Sequence, residues 1–393
     1  MNSNFDIPNW EWQITPRFEQ AFDFSEGLAS VQYSQNPGSE PDTYTFVDEL
    51  GDVVLQGEGT ANPFSNGLSK CYKSVNETGY IDLSGSTVIP YSYSILSGDF
   101  ENDIVNLRVS ESGNAAFGFM KRNGKWLLPP QFYRAASFSD GRARVQSSKK
   151  SFPEDYYSSY YETTWIDPDG KKILSPVAHG GDFSEGRASA MASANHLRGY
   201  IDIDGKWVIK PQFHFVSDFT SGIALVGLAK DGDRWWEISN YWLIDTAGHK
   251  VSNLIKPLKG HATSFGMPVI DDSHLLMTGD NTDKHPSRLF TRDGKLILQD
   301  SDEWTMVDLL GSLSWVRAKG DDFPRRHGLI NVRGEYVIPP IFSRISKPGS
   351  SGLISAAVPV WSDEEVWDED ESEYSKRGWV HVYGYGKPIT GLA

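Results

Sequence analysis

One cysteine in 393 residues excludes an internal disulfide and a cysteine-based zinc site, because Cys71 has no partner in the chain. No run of 18 apolar residues occurs, so no segment is read as a membrane-spanning helix. Bases are the scarcer charge: 37 Lys and Arg stand against 52 Asp and Glu, for a net charge of −15. That balance opposes a nucleic-acid phosphate binder and an anionic membrane surface, both of which need a basic face. The opening MNSNFDIPNWEWQ has neither a basic stretch nor an apolar core, so no secretory signal is read and the cytoplasm is the expected compartment. Catalytic signatures are missing as well. The nine His residues form no HExxH, and there is no Gly-x-Ser-x-Gly, phosphate loop or dinucleotide fingerprint. The chain is read as a non-enzyme without a cofactor.

What the sequence has is glycine, 37 in all, with 13 Trp, 17 Tyr and 20 Phe, a composition of short strands and tight turns. It also has a repeat. One phrase reads FSEGLASV at Phe24, FSNGLS at Phe64, FSDGRARV at Phe138, FSEGRASA at Phe183 and FTSGIALV at Phe219, with a degenerate copy at Phe100. Weaker copies begin near Phe265, Gly311 and Gly352. A second phrase, aromatic-apolar-Asp-x-x-Gly, ends at Gly51, Gly85, Gly170 and Gly205, with looser forms at Gly124, Gly248, Gly294 and Gly334. A third follows it: KWLLPPQF, KWVIKPQF and EYVIPPIF.

These phrases in fixed order resemble the bacterial WG-repeat (WG beta-repeat, or KWG) family. Gly79-Tyr80, Gly118-Phe119 and Gly199-Tyr200 keep the Gly of that repeat, although no Trp precedes it. The resemblance implies an interaction repeat, and a toxin-neutralising, immunity-type role is one form of it.

Physically, YIDIDGKWVI reads as a hairpin whose Asp-Gly or Asn-Gly pair tolerates positive φ. The eight glycines at 51, 85, 124, 170, 205, 248, 294 and 334 are assigned to these turns. Phe-Ser-Glu-Gly reads as a second tight turn with Phe as a buried anchor. Pro129-Pro130 and Pro339-Pro340 are expected to end the returning strand. No stretch has helical periodicity. The fold expected is all-β: about nine hairpin-based units of 35–50 residues forming one array over residues 1–393. The units start near 24, 64, 100, 138, 183, 219, 265, 311 and 352. A β-propeller-like closed array is favoured, with an open curved β-solenoid as the alternative. Residues 14–23 match a unit's second half and GWVHVYGYGKPI a first hairpin, so the two ends can complete one unit.

From the hairpin Gly to the next FSEG Gly the spacing is 16 to 18 residues. From FSEG to the next hairpin Gly it runs from 18 to 34, so length variation is confined to one connection per unit. Its inserts hold the candidate partner-binding residues. They are Tyr156, Tyr157, Tyr160 and Tyr161; Trp235 and Trp236; and Trp361, Trp367, Asp368, Glu369 and Asp370. Aromatic side chains on inserts anchor interfaces because they bury much area with few rotors. Eight acids lie between Asp363 and Glu373 with no base among them; setting them aside leaves −7 for the remainder, so the acidity is local. A basic protein partner suits that insert. Asp167-Pro-Asp169-Gly170 and Asp202-Ile-Asp204-Gly205 look like the start of a calcium loop, but its closing ligands are missing and turn chemistry explains them. The expected function is therefore a protein-binding scaffold. A carbohydrate-binding or glycoside-processing protein and a structural assembly scaffold are the alternatives.

Overall fold

The computed structural model describes residues 7–33, 43–74, 76–93, 98, 100–101, 103–111, 114–152, 155–173, 177–191, 196–229, 238–255, 269–278, 286–310, 312–319, 326–346, 348, 351–362, 366–368, 373–375 and 378–389; within these, for 110–111, 114, 148–152, 155–161, 239, 360–362, 366–368, 373–375 and 378–381 it describes the backbone alone. Every regular element among them is a strand. The strands form nine successive antiparallel sheets, a nine-blade β-propeller arrangement. A two-stranded hairpin, Val366–Asp368 with Glu373–Ser375, is additional to the blades. The chain divides into two compact units, one of residues 1–95 with 301–393 and one of residues 96–300.

Blade 5 shows the plan. Its strands a to d are His179–Gly180, Arg187–Met191, Arg198–Asp202 and Trp207–Phe213, paired in that order. Strand d runs almost directly into strand a of blade 6, Phe215–Val216. In blade 3 the regular part of the sheet lacks strand a, and in blades 4 and 6 strand d is reduced to isolated bridges such as Ile166↔Lys172 and Ile244↔Lys250.

The two turn phrases exchange the roles expected of them. Phe-Ser-Glu-Gly is the two-residue hairpin between strands a and b. Ser25 and Leu28 donate to each other's carbonyls, and Glu26 and Gly27 both have positive φ, 55° and 82°. That is the primed turn whose twist suits a hairpin. The Asp-x-x-Gly turn between c and d is longer, and the residue before its Gly has ordinary φ; Gly205 alone is left-handed, at 78°. Its organiser is the Asp three residues earlier. Asp202 Oδ1 accepts from the Asp204 and Lys206 amides at 3.0 and 2.9 Å. Asp48, Asp82, Asp167, Asp245 and Asn331 do the same in their blades. A carboxylate committed to two backbone amides is turn chemistry. No cluster of metal-ligating side chains occurs among the described residues.

The prolines do not end strand d. Trp126–Phe132 and Tyr336–Phe342 run through them. Strand d is an outer strand in which a missing N–H interrupts no ladder, and the pairing slips there into a bulge. The bulge explains the glycine that faces it in strand c. A Cβ on Gly118 would sit 2.7 Å from Pro130 N and 2.8 Å from Leu128 O, and one on Gly328 2.6 Å from Ile338 O.

Blade 9 is assembled from both ends of the chain. Its strands are Arg344–Ile345, Ile354–Ser362 and Gly378–Pro388, and the outer one is Trp10–Phe18. A Cβ on Gly384 would sit 2.6 Å from Ile14 O and 2.7 Å from Pro16 N, the same close approach as inside the continuous blades. Gly386 is not a turn residue, since the strand continues to Pro388. In blade 7 the short strand is Val269–Ile270 and its turn Asp271–His274; Phe265, where a copy was expected to begin, lies outside the described residues.

The core lies between blades. Tyr200, Ile209 and Phe213 of blade 5 pack against Phe219, Ala224, Val226 and Ile244 of blade 6. Ile14, Phe18 and Tyr385 of blade 9 pack against Phe24, Ala29, Val31 and Val47 of blade 1. A single amphipathic sheet leaves one face uncovered, and its neighbour covers it.

Candidate functional site

Each blade has two unlike ends. The a–b and c–d turns share one end; the b–c connection lies at the other. At the turn end the repeat phrases bond to one another. The aromatic residue of strand c packs on the Phe of the next blade's FSEG: Phe46 on Phe64 at 4.7 Å, Tyr200 on Phe219 at 4.8 Å, Tyr385 on Phe24 at 4.6 Å. Where that residue carries a donor, it bonds the carbonyl two residues before the Phe. Tyr200 reaches Ser217 O at 2.7 Å, Trp165 Gly181 O at 3.0 Å and Tyr385 Phe22 O at 2.6 Å. Burial, with Asp218 and Asp23 nearby, holds the hydroxyls of Tyr200 and Tyr385 well above the usual tyrosine range, so they remain donors.

The acidic residue of FSEG has a definite role that its sequence context did not reveal. The carboxylate of Glu26 accepts from the Gly67 amide, Asp140 from Gly186 and Glu185 from Gly222, each one blade along. The serine does likewise: Ser139 donates to Phe183 O and Ser184 to Phe219 O, both at 2.6 Å. Arg142 and Arg187 reach from this turn to carbonyls in a neighbouring c–d turn, Ile203 O and Thr246 O. These Glu, Asp, Ser and Arg side chains are thus committed to the chain's own backbone, while Leu50, Leu83, Ile203 and Val332 of the c–d turns are exposed.

The b–c end differs. All the candidate partner-binding residues fall on its connections or on the strands that flank them. Tyr156, Tyr157, Tyr160 and Tyr161 lie on strand Asp155–Ile166, which pairs with Arg142–Phe152 to form the longest hairpin of the unit. Trp361 lies on Ile354–Ser362, opposite Trp379; Trp367 and Asp368 lie on Val366–Asp368, opposite Tyr374 and Glu373. Only the backbone of these residues is described. Trp235, Trp236, Glu369 and Asp370 lie outside the described residues. The eight turn glycines, 51, 85, 124, 170, 205, 248, 294 and 334, have φ between 77° and 91° and sit at the opposite end.

One cavity of about 560 Å³ lies in the 96–300 unit, between blades 3 and 4. Arg108, Arg134, Arg144, Phe117 and Tyr133 line it, and no carboxylate does so among the described residues. Sequence reasoning missed it, because these residues come from separate strands and belong to no shared motif. Asp182, which is not among the lining residues, is paired with Arg144 at 2.8 Å. Desolvation, with Asp182 close by, pushes the Asp218 carboxyl up, and Arg144 draws it partly back. Burial pushes the Cys71 thiol up to about 11, which leaves it an inert core side chain. His327 opens strand His327–Asn331, where burial lowers its pKa.

The family model described as "WG containing repeat" matches residues 11–35, 117–150, 199–228 and 328–356. The last three matches begin in strand c of one blade and run through d into strands a and b of the next. The first begins at strand d, whose strand c is Gly378–Pro388 at the other end of the chain. No curated protein sequence matches the chain. Among solved structures, one described as the eukaryotic initiation factor is similar with a TM-score of 0.56 at 9% identity, over 84% of this chain and 89% of that one. BamB from Moraxella catarrhalis gives a TM-score of 0.41 at 10% identity, over 78% and 97%. At such identity the likeness concerns the fold alone. No helix among the described residues is long and apolar enough to cross a membrane.

Proposed function

We propose that this carrier of WG-containing repeats is a non-enzymatic, cytoplasmic protein-binding scaffold that meets its partner through the b–c connections. The observation that carries this reading is the contrast between blade ends. The FSEG side chains of the turn end are bonded to the chain's own backbone, whereas the candidate aromatic residues and the acidic run belong to b–c connections. A scaffold with one invariant edge and one tailored edge is how repeat proteins vary what they bind without altering how they fold. The acidic insert between Asp363 and Glu373 suits a basic partner, and neutralisation of a basic toxin domain is one form such binding takes. A cavity lined by guanidinium groups rather than paired carboxylates favours binding over glycoside cleavage.

The test is affinity capture from the source cells with the full chain and with a chain lacking residues 363–373. The expected result is a basic protein retained by the full chain, released by raised salt, and recovered far less by the deletion. Equal recovery by both chains would remove the insert from the interface. Growth inhibition by the captured partner alone, relieved by co-expression of this chain, would establish the toxin-neutralising form; absence of inhibition would dismiss it.

A further inference from the structure

The outer strand of a blade is paired on one side only, and its other edge is a template for a further strand unless something guards it. Proline, lysine, bulges and short length are such guards. Blades 2, 3, 5, 8 and 9 carry proline in strand d, at Pro90, Pro129-Pro130, Pro211, Pro339-Pro340 and Pro16, and their pairing slips there into bulges. In blades 4 and 6 strand d is reduced to isolated bridges. Blade 7 has only the four-residue Leu296–Gln299, entered from Lys295. Blade 1 has none of these devices.

Its outer strand, the six-residue Val53–Glu58, holds neither proline nor lysine; Gln56 and Gly57 stand where other blades have Pro-Pro. The cause lies in the facing strand, Thr43–Val47. Gly79, Gly118, Gly199, Gly328 and Gly384 face the bulges of their blades, where a Cβ would collide. Thr45 has that place in blade 1, and the pairing runs without a slip from Thr43↔Glu58 to Phe46↔Leu55. Gln56 Nε2 donates to Thr45 Oγ1 at 3.2 Å across it. Among the described residues the backbone of Val53–Glu58 pairs only with this strand. Val53 and Val54 are 50% and 48% exposed, and Leu50 in the turn before them 72%.

The charge around this edge has one sign. Residues 48–58 include Asp48, Glu49, Asp52 and Glu58 and no base. Asp48 accepts from the Leu50 and Asp52 amides, Glu58 pairs with Lys73, and Arg17 donates to Gly51 O. Glu49 and Asp52 are exposed and have no ion pair among the described residues. A second copy is therefore a poor occupant. Centred antiparallel self-pairing sets Val53 opposite Glu58, which brings Asp52 of each copy beside Glu58 of the other, and like charges across strands repel.

We propose that the outer edge of blade 1 takes an extended segment of a partner protein as an added strand, one with apolar residues beside Val53 and Val54 and a lysine or arginine beside Glu49 and Asp52. Main-chain bonds to Val53–Glu58 supply the affinity, and the side chains the choice of segment. This edge uses none of the b–c inserts, so it and the reading proposed for them can fail separately.

Fluorescence anisotropy tests it by titrating the full chain into three labelled heptapeptides. The first alternates valine and threonine between two terminal lysines, so that either strand direction brings a lysine to Glu49 and Asp52. The second has glutamate in place of lysine. The third keeps the side chains of the first but is N-methylated at its five central amides, which removes the donors of both its edges. The first should bind saturably with Kd of about 0.3 mM or tighter, the second about tenfold more weakly, and the third not at all. No saturable binding of the first peptide by about 1 mM protein, or equal binding of either of the others, would overturn the proposal. These comparisons use the natural chain and need no variant to fold. Glu49→Lys combined with Asp52→Lys should reverse the preference between the first two peptides. Gln56→Pro, which gives blade 1 the guard of its neighbours, should abolish binding. An unchanged preference in the double variant, or undiminished binding by a Gln56→Pro chain with an intact thermal transition, would also overturn it.

Discussion

The two ends of each blade obey different rules. At the turn end a glutamate, a serine and an aromatic side chain each have a specific backbone partner one blade along, for example Glu185 on Gly222, Ser184 on Phe219 and Tyr200 on Ser217. At the b–c end the distance between phrases nearly doubles across the array, and none of those recurring bonds depends on it. Sequence repetition follows the first end because bonds between identical neighbours require identical residues. Sequence variety gathers at the second because a loop's closure cost grows only slowly with its length.

The comparison can be broken hardest at the chain ends. Deleting residues 1–18 removes strand Trp10–Phe18 and with it the buried Ile14 and Phe18. Loss of two such core side chains costs about 5 kcal/mol or more, and urea unfolding should lose its cooperative transition. Next is the close approach inside a blade. Gly199→Ala puts a Cβ onto the backbone of the Ile209–Pro211 bulge, and the urea midpoint should fall by the equivalent of about 3 kcal/mol. A single inter-blade bond is smaller. Tyr200→Phe leaves the Ser217 carbonyl without its donor, for about 1 kcal/mol by the same measurement.

Much of this division was legible in the chain. FSEG and YIDxxG marked the two turns, and the match of WQITPRFEQAFDFSEG to a unit's second half located the strand that pairs with Gly378–Pro388. The turn mechanisms were not legible, because Asp-Gly and Glu-Gly are equally compatible with left-handed backbone. Only the structure shows that Asp202 works from three residues upstream while Glu185 reaches another blade. The two-residue strand a was invisible, being too short to show alternation. The arginine cavity was invisible for a different reason: Arg108, Arg134 and Arg144 are brought together by pairing between strands, which spacing along the chain does not encode.

A finer distinction at the turn end concerns pH. Burial raises the pKa of half-buried Asp23, with a bond from Ser346 pulling the other way. A carboxyl raised in the folded state adds stability below its unfolded pKa and loses it as pH rises through the folded value. Asp23→Asn should therefore stabilise the protein at neutral pH. That gain should fade as pH falls through the ordinary aspartate range near 3.8, read from thermal transitions across pH.

The division between ends is tested most directly by one paired insertion in blade 5. The same four-residue Gly-Ser segment is placed between residues 193 and 194, in the b–c connection, or between Ile203 and Asp204, in the c–d turn. The connection should absorb it for about 0.5 kcal/mol or less. The turn, which loses the Asp202 bonds to the Asp204 and Lys206 amides, should be destabilised by about 2 kcal/mol. Equal losses at the two sites, or a larger loss in the connection, would contradict the account.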